Sequence, residues 1–427
     1  MNFFLLVIKN ISHKPLNSFL CILLVALGVG IISLLSHAQI QISDTLSKTA
    51  QRTDIVVGAK GSPLQLILSA IFHVDSPTGN IPLKEAQKLS KNPLVEQTIP
   101  LSYGDNYGGY RIVGTEYSYL DLYEATIMKG ELWSKAFDAV IGLEVAKQLN
   151  LKVGDSFASA HGLMEGGEAH DEHMYKVTGI LNRSNSVVDR LILTSLESIW
   201  QAHDGHSDSE SDSSKENEED HHDHVQNEEH QSTHQAESQG HRHEEDKAIT
   251  ALLVSVRNPL GLMQIPRQIN ENTQMQAAFP IFEVNRLLKL SENAVQLIKL
   301  IAYLIITVAG ISVFISLYNN LKDRKEEMAL MRIYGAKRLQ LGGILLLEAL
   351  LLVLVGFICG LLISRIGLLF INFYLGSAFS STRSTASLII PQEVWLLLIT
   401  IIIAIIAAII PAFNAFNLNI SKTLKNG

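Results

Sequence analysis

The sequence predicts a membrane protein of the α+β kind: four transmembrane helices in a one-plus-three layout, with a large mixed α/β domain between helices one and two. Three observations predict it. An apolar run at 17–36 has no counterpart until 294, and three runs then follow at 294–318, 344–364 and 394–415. Each holds roughly 20 residues, enough for a helix to cross ~30 Å of hydrocarbon. The long interval between the first two runs carries short β-branched segments and polar turns, as a water-facing fold requires.

Composition needs to be read by region. The 427 residues carry a formal net charge of −8. The stretch 203–246 alone holds 15 Asp/Glu against Lys215 and Arg242, or −13, which leaves +5 for the rest. No basic nucleic-acid surface is indicated. Cys21 and Cys359 both fall inside apolar runs and read as small apolar residues, so the water-facing domain has no disulfide framework.

The N-terminal segment, 1–16, contributes Lys9 and Lys14 before the first helix. A cleaved signal peptide is the alternative reading, with Ser36-His37-Ala38 as its cleavage pattern. The apolar run exceeds the ~7–15 residues of a signal core, which favours a retained anchor. The loop 319–343 carries Lys322, Arg324, Lys325, Arg332, Lys337 and Arg338, and the tail, 416–427, carries Lys422 and Lys425. The outer loop, 365–393, has few basic residues. These counts place both termini and the 319–343 segment in the cytoplasm of a bacterial inner membrane, with the domain periplasmic.

The domain, 37–293, reads as strands at 54–57, 110–114, 139–141, 175–180, 191–194 and 251–256. Helices are expected at 63–72, 83–90, 143–149 and 262–276, the first opening with a proline. Gly58-Ala59-Lys60-Gly61-Ser62 resembles a phosphate loop only superficially, since the GxxxxGK[ST] spacing is missing. The stretch 54–81 reads as a packed corner or, more sharply, as a partner contact.

The tract 203–246 contains His203, His206, His221, His222, His224, His230, His234, His241 and His243 among acidic and amide residues. With almost no apolar residue, it is expected to be disordered. Imidazoles near carboxylates suit Zn²⁺, and also Ni²⁺ or Cu²⁺, so the tract is a candidate metal binder. A solvated spacer is the plainer reading, and a pH sensor a third. A smaller set, His161, His170, Asp171, Glu172 and His173, is expected in a loop. No tightly bound cofactor is indicated.

In the membrane segments, Gly356 and Gly360 form a small-xxx-small pair that permits close helix contact. Apolar residues continue past Arg365, which is expected to mark the outer boundary. Glu348 lies about one turn inside the inner boundary, where a carboxylate needs a partner or a function.

The segment 321–341 reads LKDRKEEMALMRIYGAKRLQL. As a helix it would lie along the membrane surface, with Gly335 ending it. Here the chain resembles the FtsX/MacB-like permease family of ABC transporters, the mechanotransmitting type VII class. That family's run R-x-E-x-x-x-L-R-x-x-G-A stands here as Arg324, Glu326, Leu330 or Met331, Arg332, Gly335 and Ala336. Glu348, Pro411 with the tail after it, the start from Lys9 to Ser18, and the stretch 140–155 carry the resemblance further. Tyr334 departs from the pattern, and the acidic histidine tract is no general family feature.

The resemblance implies a non-catalytic permease that dimerises with a second copy or a related chain. It implies a separate cytosolic ATPase docking on Arg324, Glu326, Glu327, Met331, Arg332, Gly335 and Ala336. It also implies an inserted lobe at about 116–248 and, as further partners, lipid and a periplasmic adaptor or metal-binding protein. The function expected is transmission of ATP-driven motion to an extracytoplasmic cargo or partner, with a possible link to transition metals. A metal-responsive membrane sensor or scaffold without transport is the alternative. No catalytic constellation appears in the sequence.

Overall fold

The computed structural model describes residues 3–160, 169–204, 247–374 and 390–416. Two compact units result, one of Met1–Asp44 with Leu288–Gly427, the other of Thr45–Leu287.

The second unit is built on a ten-stranded mixed sheet of order β12-β1-β11-β3-β4-β9-β6-β8-β5, with β7 pairing β3 and β8. The strands are β1 (Ile55–Ala59), β3 (Val95–Tyr107), β4 (Tyr110–Gly114), β5 (Ile127–Gly130), β6 (Asp138–Ile141), β7 (Ser156–Ala160), β8 (Ala169–Leu181), β9 (Ile192–Thr194), β11 (Ala251–Val256) and β12 (Met275–Ala278). A separate pair joins β2 (Ile81–Pro82) to β10 (Ala248–Ile249). The β4–β9 and β6–β8 pairs are parallel and the remaining pairs antiparallel.

Two apolar cores lie along this sheet. One gathers Ile55, Val57, Leu252 and Val254 with Ile265 and Ile269. The other gathers Ile112, Ile141, Val177 and Ile192 with Phe157 and Tyr175. Burial of these β-branched and aromatic side chains is what drives the strands together.

The helices of this unit are α3 (Pro63–Ala70), α4 (Leu83–Ser90), α5 (Ser118–Leu122), α6 (Leu143–Gln148), α7 (Leu196–Asp204) and α8 (Pro259–Asn272). Ser62 caps α3 by accepting from Gln65 N, and Pro63 opens the helix. The glycine-rich turn before it therefore makes a strand-to-helix junction rather than a phosphate loop. Asn258 caps α8 likewise, accepting from Gly261 N at 3.1 Å. The expected helix at 262–276 is thus shifted: it begins at Pro259, ends at Asn272, and Met275 already belongs to β12.

Strand β3 is not among the expected strands, and it contains Pro100 and Gly104, residues that locally disfavour a strand. Pro100 is accommodated opposite Leu252, and its carbonyl accepts from Thr115 Oγ1. Gly104 is needed for packing, since a Cβ there would lie 2.7 Å from Ile199 Cδ1 on α7.

The first unit is helical. It contains α1 (Phe3–His13) and most of α2 (Pro15–Ala50) and α9 (Pro280–Asp323), with α10 (Lys325–Ile333), α11 (Arg338–Tyr374) and α12 (Pro391–Phe416). Helices α2, α9, α11 and α12 are long and apolar enough to cross a membrane. Each of the four predicted runs is the apolar stretch of a longer helix, because polar residues on either side continue the helical backbone. Both α2 and α9 run unbroken across the boundary between the units.

Small residues set the helix packing. A Cβ on Gly360 would meet Ala26 O and Val29 Cβ at 2.8 Å, and one on Gly356 would meet Val25 Cβ at 2.8 Å. These two glycines therefore seat α11 directly on α2, as the small-xxx-small spacing predicts. Gly28 faces Ile306 on α9, and Gly310 faces Ile403 on α12.

Candidate functional site

The coupling segment is a short helix closed by a left-handed turn. Helix α9 stops at Asp323, and Arg324 leaves helical geometry with φ −109° and ψ 19°. Its guanidinium donates to Glu327 Oε2 at 2.7 Å. Glu326 and Glu327 occupy the first turn of α10 and Arg332 the last, the arrangement a helix dipole favours. Gly335 then takes φ +95°. Its N–H donates to Arg332 O and that of Ala336 to Met331 O, which is the Schellman closure.

This geometry sorts the motif residues by task. Met328 and Ala329 are buried, and Met331 packs against the bundle core, so these anchor the helix. Leu330, Ile333, Tyr334 and Leu339 are exposed, Tyr334 at 88% and Leu339 at 80%. Arg332 keeps one guanidinium nitrogen, Nη1, enclosed with no acceptor among the described residues.

Near this segment Glu348, only 2% exposed, accepts from Asn320 Nδ2 at 2.9 Å. The carboxylate has the partner that its position demanded. Lys14 pairs with Asp323, tying the start of α2 to the end of α9.

A second polar cluster joins α2, α11 and α12. Arg365 Nη2 donates to both carboxylate oxygens of Glu393, at 3.0 and 3.1 Å. Its Nη1 lies 2.8 Å from His37 Nε2. Ser33 Oγ donates to Glu393 Oε1 at 2.6 Å and lies 2.9 Å from Ser364 Oγ. Arg365 is therefore more than a boundary mark: it is the hub of a charged network. His37, Ser33 and Glu393 were not singled out from the sequence, because apolar periodicity hides partners that lie up to 360 residues apart.

In the inserted domain, His73 lies in the stretch flagged as a packed corner. Its Nε2 is 2.8 Å from Tyr119 Oη and its Nδ1 is 3.1 Å from Tyr103 Oη. Tyr103 Oη also bonds the Ser69 carbonyl, and the Arg111 guanidinium stacks 4.6 Å from the Tyr103 ring. Burial, with the Arg111 charge second, pushes the His73 imidazole down to about 3. It is a neutral hydrogen-bonding link that holds the corner together. Burial likewise raises the phenols of Tyr103, Tyr119 and Tyr123, that of Tyr123 to about 12.

The candidate metal residues fall mostly outside the described residues: His161, His206, His221, His222, His224, His230, His234, His241 and His243. His203 closes α7 as backbone, so the tract's first two residues are helical rather than irregular. His170 and His173 lie within β8, where a loop was expected, because the β7–β8 ladder continues to the pair Ala160 and Ala169. Among the described residues no group of three or more His, Cys, Asp or Glu could hold a metal ion.

Comparisons with known proteins follow this division. A family model described as FtsX-like permease C-terminal matches residues 299–420, and one described as MacB-like periplasmic core domain matches 18–222. No curated protein matches the chain. Among solved structures, the periplasmic region of MacB from Actinobacillus actinomycetemcomitans is 8% identical. That match covers 57% of this chain and 97% of that one, with a TM-score of 0.33. The extracellular domain of the noncanonic ABC-type transporter YknZ from Gram-positive bacteria is 10% identical, covering 52% and 98%, at 0.30. At these scores the structural likenesses add no argument, and the assignment stands on the two domain models. Four membrane-length helices with an α/β domain between the first and second define a multi-pass membrane subunit of the ABC transporter class. The chain belongs to the FtsX/MacB-like ABC permeases. Such permeases work with a cytosolic ABC ATPase, generally as dimers, and are generally non-catalytic subunits.

Proposed function

We propose that this chain receives ATP-driven motion from a separate ATPase at α10 and passes it along α2 and α9 to the inserted domain. That domain would then act on an extracytoplasmic cargo or partner. The observation that carries this reading is the split surface of α10. Met328 and Met331 fix the helix to the bundle, while Leu330, Ile333 and the C-cap Tyr334 are exposed, as is Leu339 at the start of α11. An exposed apolar group beside charged residues is what a docking partner would cover. Two membrane helices that continue without a break into the domain supply stiff connections. The Lys/Arg bias of the short loops supports an orientation with both termini and α10 on the cytoplasmic side and the domain on the periplasmic side.

Helix α9 also supports dimerisation. Leu290, Leu297, Ile301, Leu304, Val308, Ile311, Ile315 and Tyr318 recur at heptad spacing and are all exposed. A second copy, or a related permease, would pack on this stripe. The test of the reading is a photocrosslinker placed at Tyr334 in cells that co-express the ATPase. Capture of the ATPase from Tyr334 and none from Trp395 supports it; equal or no capture contradicts it.

The histidine tract supports a second element, a link to zinc or another transition metal. Nine histidines lie among carboxylates and amides in 203–243, a composition that binds such ions. Zinc titration of the chain with and without 205–246 tests it, and equal binding by the two would remove metal from the account. A metal-responsive sensor or scaffold without transport is favoured only if metal binds while no ATPase does.

A further inference from the structure

The inserted domain buries a cation that no acid among the described residues balances. Arg111 of β4 is only 7% exposed, yet it makes no ion pair among them. Its Nη2 donates to the Asp75 carbonyl at 2.9 Å, and its guanidinium stacks on the Tyr103 ring, both neutral partners. The Asp75 carboxylate is turned to its own loop, accepting from Ser76 N at 2.7 Å. His73, the imidazole that feels the Arg111 charge, stays neutral. Arg111 Nη1 is enclosed and has no acceptor among the described residues. A buried charge in this state is costly unless an anion meets it.

A second free donor stands opposite. Asn106 of β3 is the direct cross-strand partner of Arg111, and direct partners in an antiparallel ladder share one face of the sheet. Asn106 is 4% exposed, and its Nδ2 also has no acceptor among the described residues. Between Tyr103 and Asn106 the register slips, so that three steps along β3 answer two along β4. This bulge brings Asn106 to the face of Tyr103 and Arg111, whereas regular alternation would turn it to the other side.

We propose that Arg111 and Asn106 bind a small free carboxylate, with one oxygen on Arg111 Nη1 and the other on Asn106 Nδ2. Two donors suit a group with two oxygens. Phosphate would bring further oxygens into the same enclosed space, with no donor to meet them. The enclosure of both side chains also selects a small ion over a carboxylate carried on a protein surface.

The test is thermal unfolding of the full-length chain in nanodiscs of zwitterionic lipid, near neutral pH, where acetate is ionised. Tryptophan fluorescence follows the domain, which contains Trp133 and Trp200. Sodium acetate replaces chloride at constant ionic strength, up to about 100 mM. A saturable rise in melting temperature is expected, reaching about 3–6 °C for a dissociation constant of about 10 mM. Phosphate in the same series should give a smaller rise, and Arg111→Gln should abolish the acetate effect. Asn106→Asp sets a carboxylate opposite Arg111 within the chain itself, so it should melt above the parent without acetate and respond little to it. Three results would overturn the proposal: no rise of the parent with acetate, an equal rise with phosphate, or a rise retained in Arg111→Gln. If Arg111→Gln does not fold, Asn106→Asp decides, and a parent-like response to acetate there would overturn it.

Discussion

Arg365 and Glu393 form a part-buried ion pair in which one guanidinium nitrogen is held between both carboxylate oxygens, at 3.0 and 3.1 Å. Glu393 is only 2% exposed and also accepts from Ser33 at 2.6 Å. The Ile390 N–H reaches the same carboxylate at 3.4 Å, half of a capping box at the start of α12. The pair thus fixes where α12 begins and what it faces.

Removing one partner should therefore cost much more than removing both. Glu393→Leu takes from the part-buried Arg365 guanidinium the carboxylate it faces, and a loss of about 3 kcal/mol is expected. Arg365→Met with Glu393→Leu should recover most of it. Thermal denaturation of the four proteins of this double-mutant cycle reads the coupling. Additive losses would mean that the pair does not act as a unit.

Gly360 should tolerate no side chain. The Cβ of an alanine would sit 2.8 Å from Ala26 O and from Val29 Cβ, so α11 and α2 must separate. Gly360→Ala is expected to cost about 1–3 kcal/mol, the usual penalty for overpacking. Gly343→Ala, with nothing within 4 Å, should leave the melting temperature unchanged or raise it slightly. Equal effects of the two substitutions would contradict the packing described.

His73 should make the inserted domain sensitive to acid. Its imidazole is held down to about 3 in the fold, against the model-peptide value of 6.5. Above pH 6.5 neither folded nor unfolded chain protonates it, and its contribution is fully present. As pH falls from 6.5 toward 3, the unfolded chain takes up a proton that the folded one refuses, and stability drops. His73 also sits at φ +56°, a backbone region that asparagine tolerates. His73→Asn should keep the turn and flatten the fall in stability between pH 6.5 and 4, as measured by denaturant unfolding. An unchanged slope would remove His73 as its source.

The ends of the histidine tract are tied together. Trp200 of α7 bonds Ala248 at 2.7 Å, and Lys247 bridges Glu197. Replacing 205–246 by a short glycine–serine linker should therefore leave the melting profile of the domain intact, because the tie does not use the removed residues. A large loss of stability would show that the tract contributes to the fold.

Much of this architecture was legible from local pattern. The 4-residue spacing of Gly356 and Gly360 allowed for a close helix contact, whose partner, α2, only the structure identifies, and Gly335 marked the end of α10. The strands at 110–114 and 251–256 were readable because β-branched residues fall between turn residues. Two causes account for the strand and the polar clusters that escaped. Strand β3 carries Pro100 and Gly104, whose local preference is overridden by pairing with β11 and by the approach of Ile199. The Ser33–His37–Arg365–Glu393 network joins residues far apart in sequence, and no periodicity links them. His73 was hidden for the same reason, since its partners Tyr103 and Tyr119 lie 30 and 46 residues away.

The central claim is that the outward face of α10 is where the ATPase engages. The direct measurement is co-purification of the ATPase with the parent chain and with a Leu330→Glu, Tyr334→Glu variant. Both residues are exposed, so the variant should fold with an unchanged melting temperature. The account predicts that the parent chain retains the ATPase and the variant loses it. Retention of the ATPase by the variant, at the parent's stoichiometry, would contradict it.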